Sequence, residues 1–246
     1  MTYLKYCHLF YQPIPEGSFF SRLIHINQKS LDLIYSHPFN QELLAGTLPK
    51  AKFGHYLRDD FLYLRVFAKV LHTLAARTQI INPSLSLQLT QLAHEVVSSE
   101  HSMQLKYSAH FKDFHEHQMG TAITHYSDYL LTASTQAKIP EALCSILPCF
   151  WIYYQLGMLK SPKEIMTDHP YDDWIATYSS DEFVRITLEL AATVNSLVNK
   201  SHQSKQLRLV SAFTKSVSYE LDFFNEVYLP PVNPPSNASS SCQSPT

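Results

Sequence analysis

The stretch Pro49-Lys50-Ala51-Lys52-Phe53-Gly54-His55-Tyr56-Leu57-Arg58-Asp59-Asp60-Phe61-Leu62-Tyr63-Leu64 places Phe53, Tyr56, Leu57, Asp60, Phe61 and Leu64 at the i, i+3, i+4, i+7 spacing of one helix face. The turn-like Gly46-Thr47-Leu48-Pro49 ahead of it starts the helix, and the pattern carries it to about Arg77. Asn82-Pro83-Ser84 is a second start signal, with Pro83 early in a helix whose apolar positions Leu85, Leu89, Leu92 and Val96 continue toward Tyr107. Further helices are expected over 18–36, 121–136, 140–160, 180–200 and 206–228. Alternating strand patterns with Gly-containing turns are absent, as is any repeat of fixed period, which leaves an all-α bundle of a single domain. Residues 1–17 are expected to be an amino-terminal extension and 18–228 the helical domain. The tail 229–246, rich in Pro and Ser with little to bury, is expected to be disordered.

Composition narrows the function. At 246 residues the chain can bury a sizeable core without disulfides or metals, and its 45% hydrophobic and 16% charged residues fit a largely buried bundle. The five glycines are too scattered to form a Rossmann or P-loop phosphate cradle. A net charge of −2 with no basic run leaves no footprint for nucleic acid or anionic lipid, so the expected partner is a small molecule. Cys7, Cys144, Cys149 and Cys242 form no C-x-x-C pair and no zinc ligand set. With no apolar core of a secretory signal near Met1, a cytoplasmic address is expected. Ala142 to Leu159 runs eighteen residues without a charge, but Pro148, Ser145, Gln155 and two tyrosines argue for a buried bundle helix over a membrane span.

Three segments put polar or reactive groups on faces that ought to be core. Helical spacing stacks Tyr56, Asp60 and Tyr63 among Phe53, Leu57, Phe61 and Leu64. Asp59 and Asp60 point about 100° apart on a helix, so at most one is expected in solvent while the other turns inward. A solvated acidic edge remains the alternative for Asp60. Cys149 and Tyr153 share a face of the most apolar helix, next to Pro148, which removes a backbone donor and disrupts the preceding turn. A lone buried cysteine is usually an inert small hydrophobe, and apolar surroundings raise its pKa unless a base or donors support the thiolate. Glu220 shares a face with Phe223 and Phe224; a carboxyl so placed has a raised pKa and can carry a proton near neutrality, whereas an amphipathic edge would leave it in water. His94, His101, His110, His115 and His117 cluster with Glu95, Glu100 and Glu116, but no Glu-x-x-His motif occurs among them, and solvated histidines are the preferred reading over a metal site.

Taken in order, these segments resemble the thiaminase II (TenA) family. His37-Pro38-Phe39, Gly46-Thr47-Leu48-Pro49 and the stretch Phe53 to Leu64 are similar to its amino-terminal signature. Leu147-Pro148-Cys149-Phe150-Trp151-Ile152-Tyr153 resembles its cysteine helix, Trp174 to Phe183 its W-I-x-x-Y segment, and Tyr219-Glu220-Leu221-Asp222-Phe223-Phe224 its closing glutamate helix. The resemblance implies a haem-oxygenase-like helical bundle, usually a homotetramer. The implied activity is hydrolysis of 4-amino-5-aminomethyl-2-methylpyrimidine to 4-amino-5-hydroxymethyl-2-methylpyrimidine and ammonia, with thiamine cleavage as a side activity. By the same resemblance Cys149 is the nucleophile, Glu220 the acid/base carboxyl and Asp60 the carboxylate on the pyrimidine edge. Tyr63, Tyr126, Tyr153 and Tyr178 fall at or near the pocket tyrosines. No metal and no cofactor is implied. Gln155 stands where many members have a glutamate, a departure that bears on substrate range. Two other readings stand beside the hydrolase: a metal-dependent oxygenase on the same bundle, motivated by the histidine cluster, and a non-catalytic pyrimidine-binding protein.

Overall fold

The computed structural model describes residues 14–107, 118–160, 168–198 and 203–229, with only the backbone described at 99–107 and 203–205. Within them the chain forms α1 (Phe19–Tyr35), α2 (Pro38–Ala45), α3 (Lys50–Thr78), α4 (Pro83–Tyr107), α5 (Thr121–Gln136), α6 (Ile139–Met158), α7 (Asp172–Tyr178), α8 (Asp181–Val198) and α9 (Gln203–Tyr228). No strand occurs among the described residues.

Side chains supply many of the helix starts. Ser18 caps α1 by accepting from the Ser21 amide at 3.2 Å. The Nδ1 of His37 accepts from the Phe39 amide at 3.1 Å ahead of Pro38, whose missing N–H costs nothing in a first turn. Asn82 caps α4 through the Leu85 amide and Ser180 caps α8 through the Phe183 amide. Gly46 closes α2 at φ +76°, a left-handed conformation that glycine adopts without strain.

Two helices were not expected as separate elements. The eight residues of α2 and the seven of α7 are too short to display a helical period. Both exist because tertiary contacts hold them: Phe39 packs on Tyr56 and Phe224, and Trp174 on Tyr153.

Helix α6 runs through the middle of the bundle. It packs against α9, α8, α7, α5 and α3, while α3 also packs on α4 and α5. Fourteen of its residues are buried, Pro148 among them, as expected of a core helix. Among the described residues no helix is long and apolar enough to cross a membrane. The expected disorder of the tail lies outside the described residues from 230 onward, as does residues 1–13 of the expected extension.

Candidate active site

Five helices converge on one point in the core. Helix α3 brings Asp60 and Tyr63, α5 brings Tyr126, α6 brings Cys149 and Tyr153, α7 brings Tyr178, and α9 brings Glu220. All seven side chains that the sequence singled out fall in this one cluster. Asp60, Cys149, Tyr153 and Tyr178 line a cavity of about 220 Å³, and Glu220, Tyr63 and Tyr126 stand around the thiol, buried at 2%, 3% and 1% exposure.

The walls are aromatic. Tyr153 and Tyr178 meet at 4.8 Å between ring centres, and Trp174 lies 4.7 Å from Tyr178. Behind the thiol Tyr63 stacks on Tyr126 at 5.4 Å, and Tyr126 in turn on Tyr219. Such pairs fix ring planes beyond what area burial gives, so the phenol oxygens are held at set positions. Burial lifts the phenols of Tyr63, Tyr126, Tyr153 and Tyr178 well above their ordinary range, so each keeps its proton and can donate it in a hydrogen bond.

Glu220 carries the most informative ionisation. Burial pushes its carboxyl up to about 8; the Tyr126 phenol pulls against that, and the Asp60 charge adds to it. The solvated-edge reading of Glu220 is thereby set aside, and it is Asp222, two residues on, that faces water. Cys149 keeps partial exposure on the cavity. Removal from water and the facing Glu220 push its thiol well above the ordinary value, opposed by the Tyr63 hydroxyl. Thiol and carboxyl are thus coupled: ionising one disfavours ionising the other.

Both members of the adjacent acidic pair turn inward, within the expected limit of at most one in solvent. Neither Asp59 nor Asp60 lies in solvent; they are 0% and 3% exposed. Asp59 is drawn inward by the amino terminus of α5, where Gly120 N–H donates to its Oδ1 at 3.2 Å, and by His55 at 3.8 Å. Glu226 completes that terminus by accepting from the Thr121 and Ala122 amides at 2.9 and 2.8 Å. A β-carbon at residue 120 would sit 2.6 Å from Glu226 and 2.8 Å from Asp59, so the two carboxylates reach the helix end because Gly120 has none.

Several residues at the site carried no sequence signal for it. Leu92 and Val96 of α4 and Phe183 and Ile186 of α8 form the outer apolar wall, with Glu95 and Glu182 at its edge. Their spacing reads only as the inner face of an amphipathic helix. The Tyr56 hydroxyl accepts from Trp174 Nε1 at 3.2 Å, linking α3 to α7 beside Asp60. Gln155 is half-buried and is not part of the cavity wall. Of the histidine cluster, His94 is exposed, and the side chains of His101, His110, His115 and His117 lie outside the described residues. Among the described residues no three His, Cys, Asp or Glu side chains are grouped to hold a metal ion.

Fold and site together define a helical-bundle protein with a thiol–carboxyl centre facing an aromatic cavity. The chain belongs to the TENA/THI-4/PQQC family, which it matches over residues 25–229. It is 23% identical over 222 residues to an aminopyrimidine aminohydrolase of Halalkalibacterium halodurans, an overlap of 86% of this chain and 96% of that one. A TenA homologue protein from P. horikoshii OT3 superposes with a TM-score of 0.76 at 24% identity, covering 86% of this chain and 98% of that one. A domain with a heme oxygenase-like fold from Shewanella denitrificans superposes at 0.63 with 16% identity, covering 85% and 91%. The fold is therefore the haem-oxygenase-like bundle.

Proposed function

We propose that this protein is an aminopyrimidine aminohydrolase of the thiaminase II kind. It would hydrolyse 4-amino-5-aminomethyl-2-methylpyrimidine to 4-amino-5-hydroxymethyl-2-methylpyrimidine and ammonia, with thiamine cleavage as a side activity. The observation that carries this reading is the convergence of Cys149, Glu220 and Asp60 beside one aromatic-walled cavity, in a family that includes an aminopyrimidine aminohydrolase.

The chemistry follows from the groups. A carbon bearing a primary amine on an aromatic pyrimidine resists direct displacement by water. Addition of the Cys149 sulfur to the ring breaks its aromaticity and lets the ring nitrogen expel the amine. The thiol proton passes to Glu220, which hands it to the departing amine, so nitrogen leaves as neutral ammonia. Water then adds to the exposed exocyclic carbon, its proton reloads Glu220, and expulsion of the sulfur restores the ring. A carboxyl near 8 suits both directions of transfer close to neutral pH. Asp60 pairs with the amino group and ring nitrogen of the pyrimidine, an orientation worth about 1.5–3 kcal/mol for a charged hydrogen bond. Tyr153 and Tyr178 border the ring.

In the first step Glu220 must be ionised to receive the thiol proton. The acidic limb of the kcat/KM profile should therefore rise with pH through about 8. The same reading includes a place in thiamine salvage, a cytoplasmic address and a homotetramer, the last checked by light scattering on the eluting protein.

The test is ammonia release from 4-amino-5-aminomethyl-2-methylpyrimidine by the wild type and by Cys149→Ser. The expected loss is at least about a thousandfold, as for removal of a nucleophile. Full activity in Cys149→Ser would overturn the nucleophile, and a silent wild type would overturn the substrate.

A further inference from the structure

Ser216 lies one helical turn before Glu220 on α9, and Ser145 one turn before Cys149 on α6. The Ser216 hydroxyl donates to the Ser145 carbonyl at 2.6 Å, and both residues are buried, at 0% and 1% exposure. That turn of α6 is already opened by Pro148, which has no N–H to offer the carbonyl of Cys144. The helices carrying thiol and carboxyl are thus pinned together one turn from both groups.

A serine has one O–H, and Ser216 has committed it to a carbonyl. What it still offers is lone pairs. The Tyr126 hydroxyl lies beside Ser216, Tyr63 and Glu220 and closes a regular hydrogen bond with none of them; Glu220 Oε1 is likewise buried without one, and the Tyr63 hydroxyl is itself turned to the Cys149 thiol.

We propose that Ser216 is a positioning residue for the acid/base step: with its hydrogen fixed on the Ser145 carbonyl, it gives Tyr126 a second acceptor, so the phenol turns between Glu220 and Ser216 as the carboxyl loses and regains its proton. When Glu220 is ionised, Tyr126 donates to the carboxylate. When Glu220 is protonated, its O–H donates to the Tyr126 oxygen and the phenol hydrogen goes to Ser216. Each protonation state then keeps its donors satisfied, which a buried polar chain requires. The change asks for a small approach of the hydroxyl to each partner and the rotation of one O–H bond.

The other ionisable groups facing Glu220 are Asp60 and Tyr63 from α3, Tyr126 from α5, and Cys149 and Tyr153 from α6. Helices α1 and α2 meet α9 through Phe20 with Phe213 and Phe39 with Phe224, with His37 near Asn225. Removing the Ser216 oxygen leaves the ionised state intact and takes an acceptor from the protonated one. With the Tyr63 hydroxyl held by the Cys149 thiol, the Glu220 transition should move down.

This inference rests on the aminohydrolase reading only for its kinetic arm. In Ser216→Ala the acidic limb of ammonia release should move down by about one pH unit, the size of one hydrogen bond lost from one protonation state. Carbon-detected NMR titration of the Glu220 carboxyl, with no substrate present, should show the same shift. In a Tyr126→Phe background Ser216→Ala should cause no further shift, whereas a loosened helix contact would act in both backgrounds. Neutron diffraction of the unaltered protein should find the Tyr126 hydrogen toward Ser216 below the transition and toward Glu220 above it. A Glu220 transition unmoved by Ser216→Ala, or a Tyr126 hydrogen fixed in one direction, would overturn the proposal. A silent wild type with an intact NMR shift would sink the substrate and leave Ser216 in place.

Discussion

Glu220 holds its proton up to about pH 8 in the folded protein, against 4.5 for a carboxyl in water. Between those values the folded state binds one proton more than the unfolded chain, so stability falls by about 1.4 kcal/mol for each pH unit climbed. Glu220→Gln has no such slope. It should therefore gain stability on the wild type steadily from about pH 4.5 to about 8, while losing about 10²- to 10⁴-fold in ammonia release. Denaturant midpoints at a series of pH values read the first effect; parallel curves for the two proteins would count against a buried, protonated Glu220. A variant more stable and less active is the signature of a group placed for chemistry at a cost to the fold.

Among the helices, the tightest constraint on the site is the approach of α6 to the end of α7. A β-carbon on residue 157 would lie 2.5 Å from the Tyr178 carbonyl carbon and 2.8 Å from the Ser179 nitrogen, both backbone atoms that cannot swing away. Gly157→Ala should force α7 outward, costing about 1–3 kcal/mol as overpacking. Because α7 carries Thr177 and Tyr178 into the cavity wall, kcat/KM should fall by about tenfold or more, with KM rising. Crystallography of the variant would show the displacement; unchanged Tyr178 with unchanged kinetics would contradict it. The sequence Tyr154-Gln155-Leu156-Gly157 signals none of this, since a helical glycine reads only as a weak point until its neighbour across space is known.

Across the whole molecule, five helices separated widely in sequence contribute to one cavity, so occupying it ties the bundle together. Excess product pyrimidine at about a hundred times its Kd should raise stability by about 2.7 kcal/mol, which in a chain of this length is a thermal shift of about 5–10 °C. Under the proposed mechanism Cys149→Ser should keep that shift, the thiol being assigned to bond making and Asp60 with the tyrosines to holding the ring. Asp60→Asn should lose most of it. Equal shifts in both variants would remove Asp60 from recognition of the pyrimidine.

Most of the helices, and Asp60, Tyr63, Cys149, Tyr153 and Glu220 on their core faces, are readable in the order of the amino acids because apolar periodicity and capping residues act over one or two turns; Tyr126 and Tyr178 are marked only by the family resemblance. Asp60, Cys149 and Glu220 stand out as reactive groups on faces that should be core, an inconsistency that resolves once the faces meet. What stays hidden depends on distance through space. Asp59 is buried because α5 starts beside it, Gly157 is small because α7 ends on it, and Ser216 matters because Ser145 lies across from it. The chain's local energetics decide which segments are helices and which way each face points. Only packing decides which faces touch, and with them the lift on Glu220, the coupling to Cys149 and the cavity between α4 and α8, since desolvation and charge coupling depend on every neighbour at once.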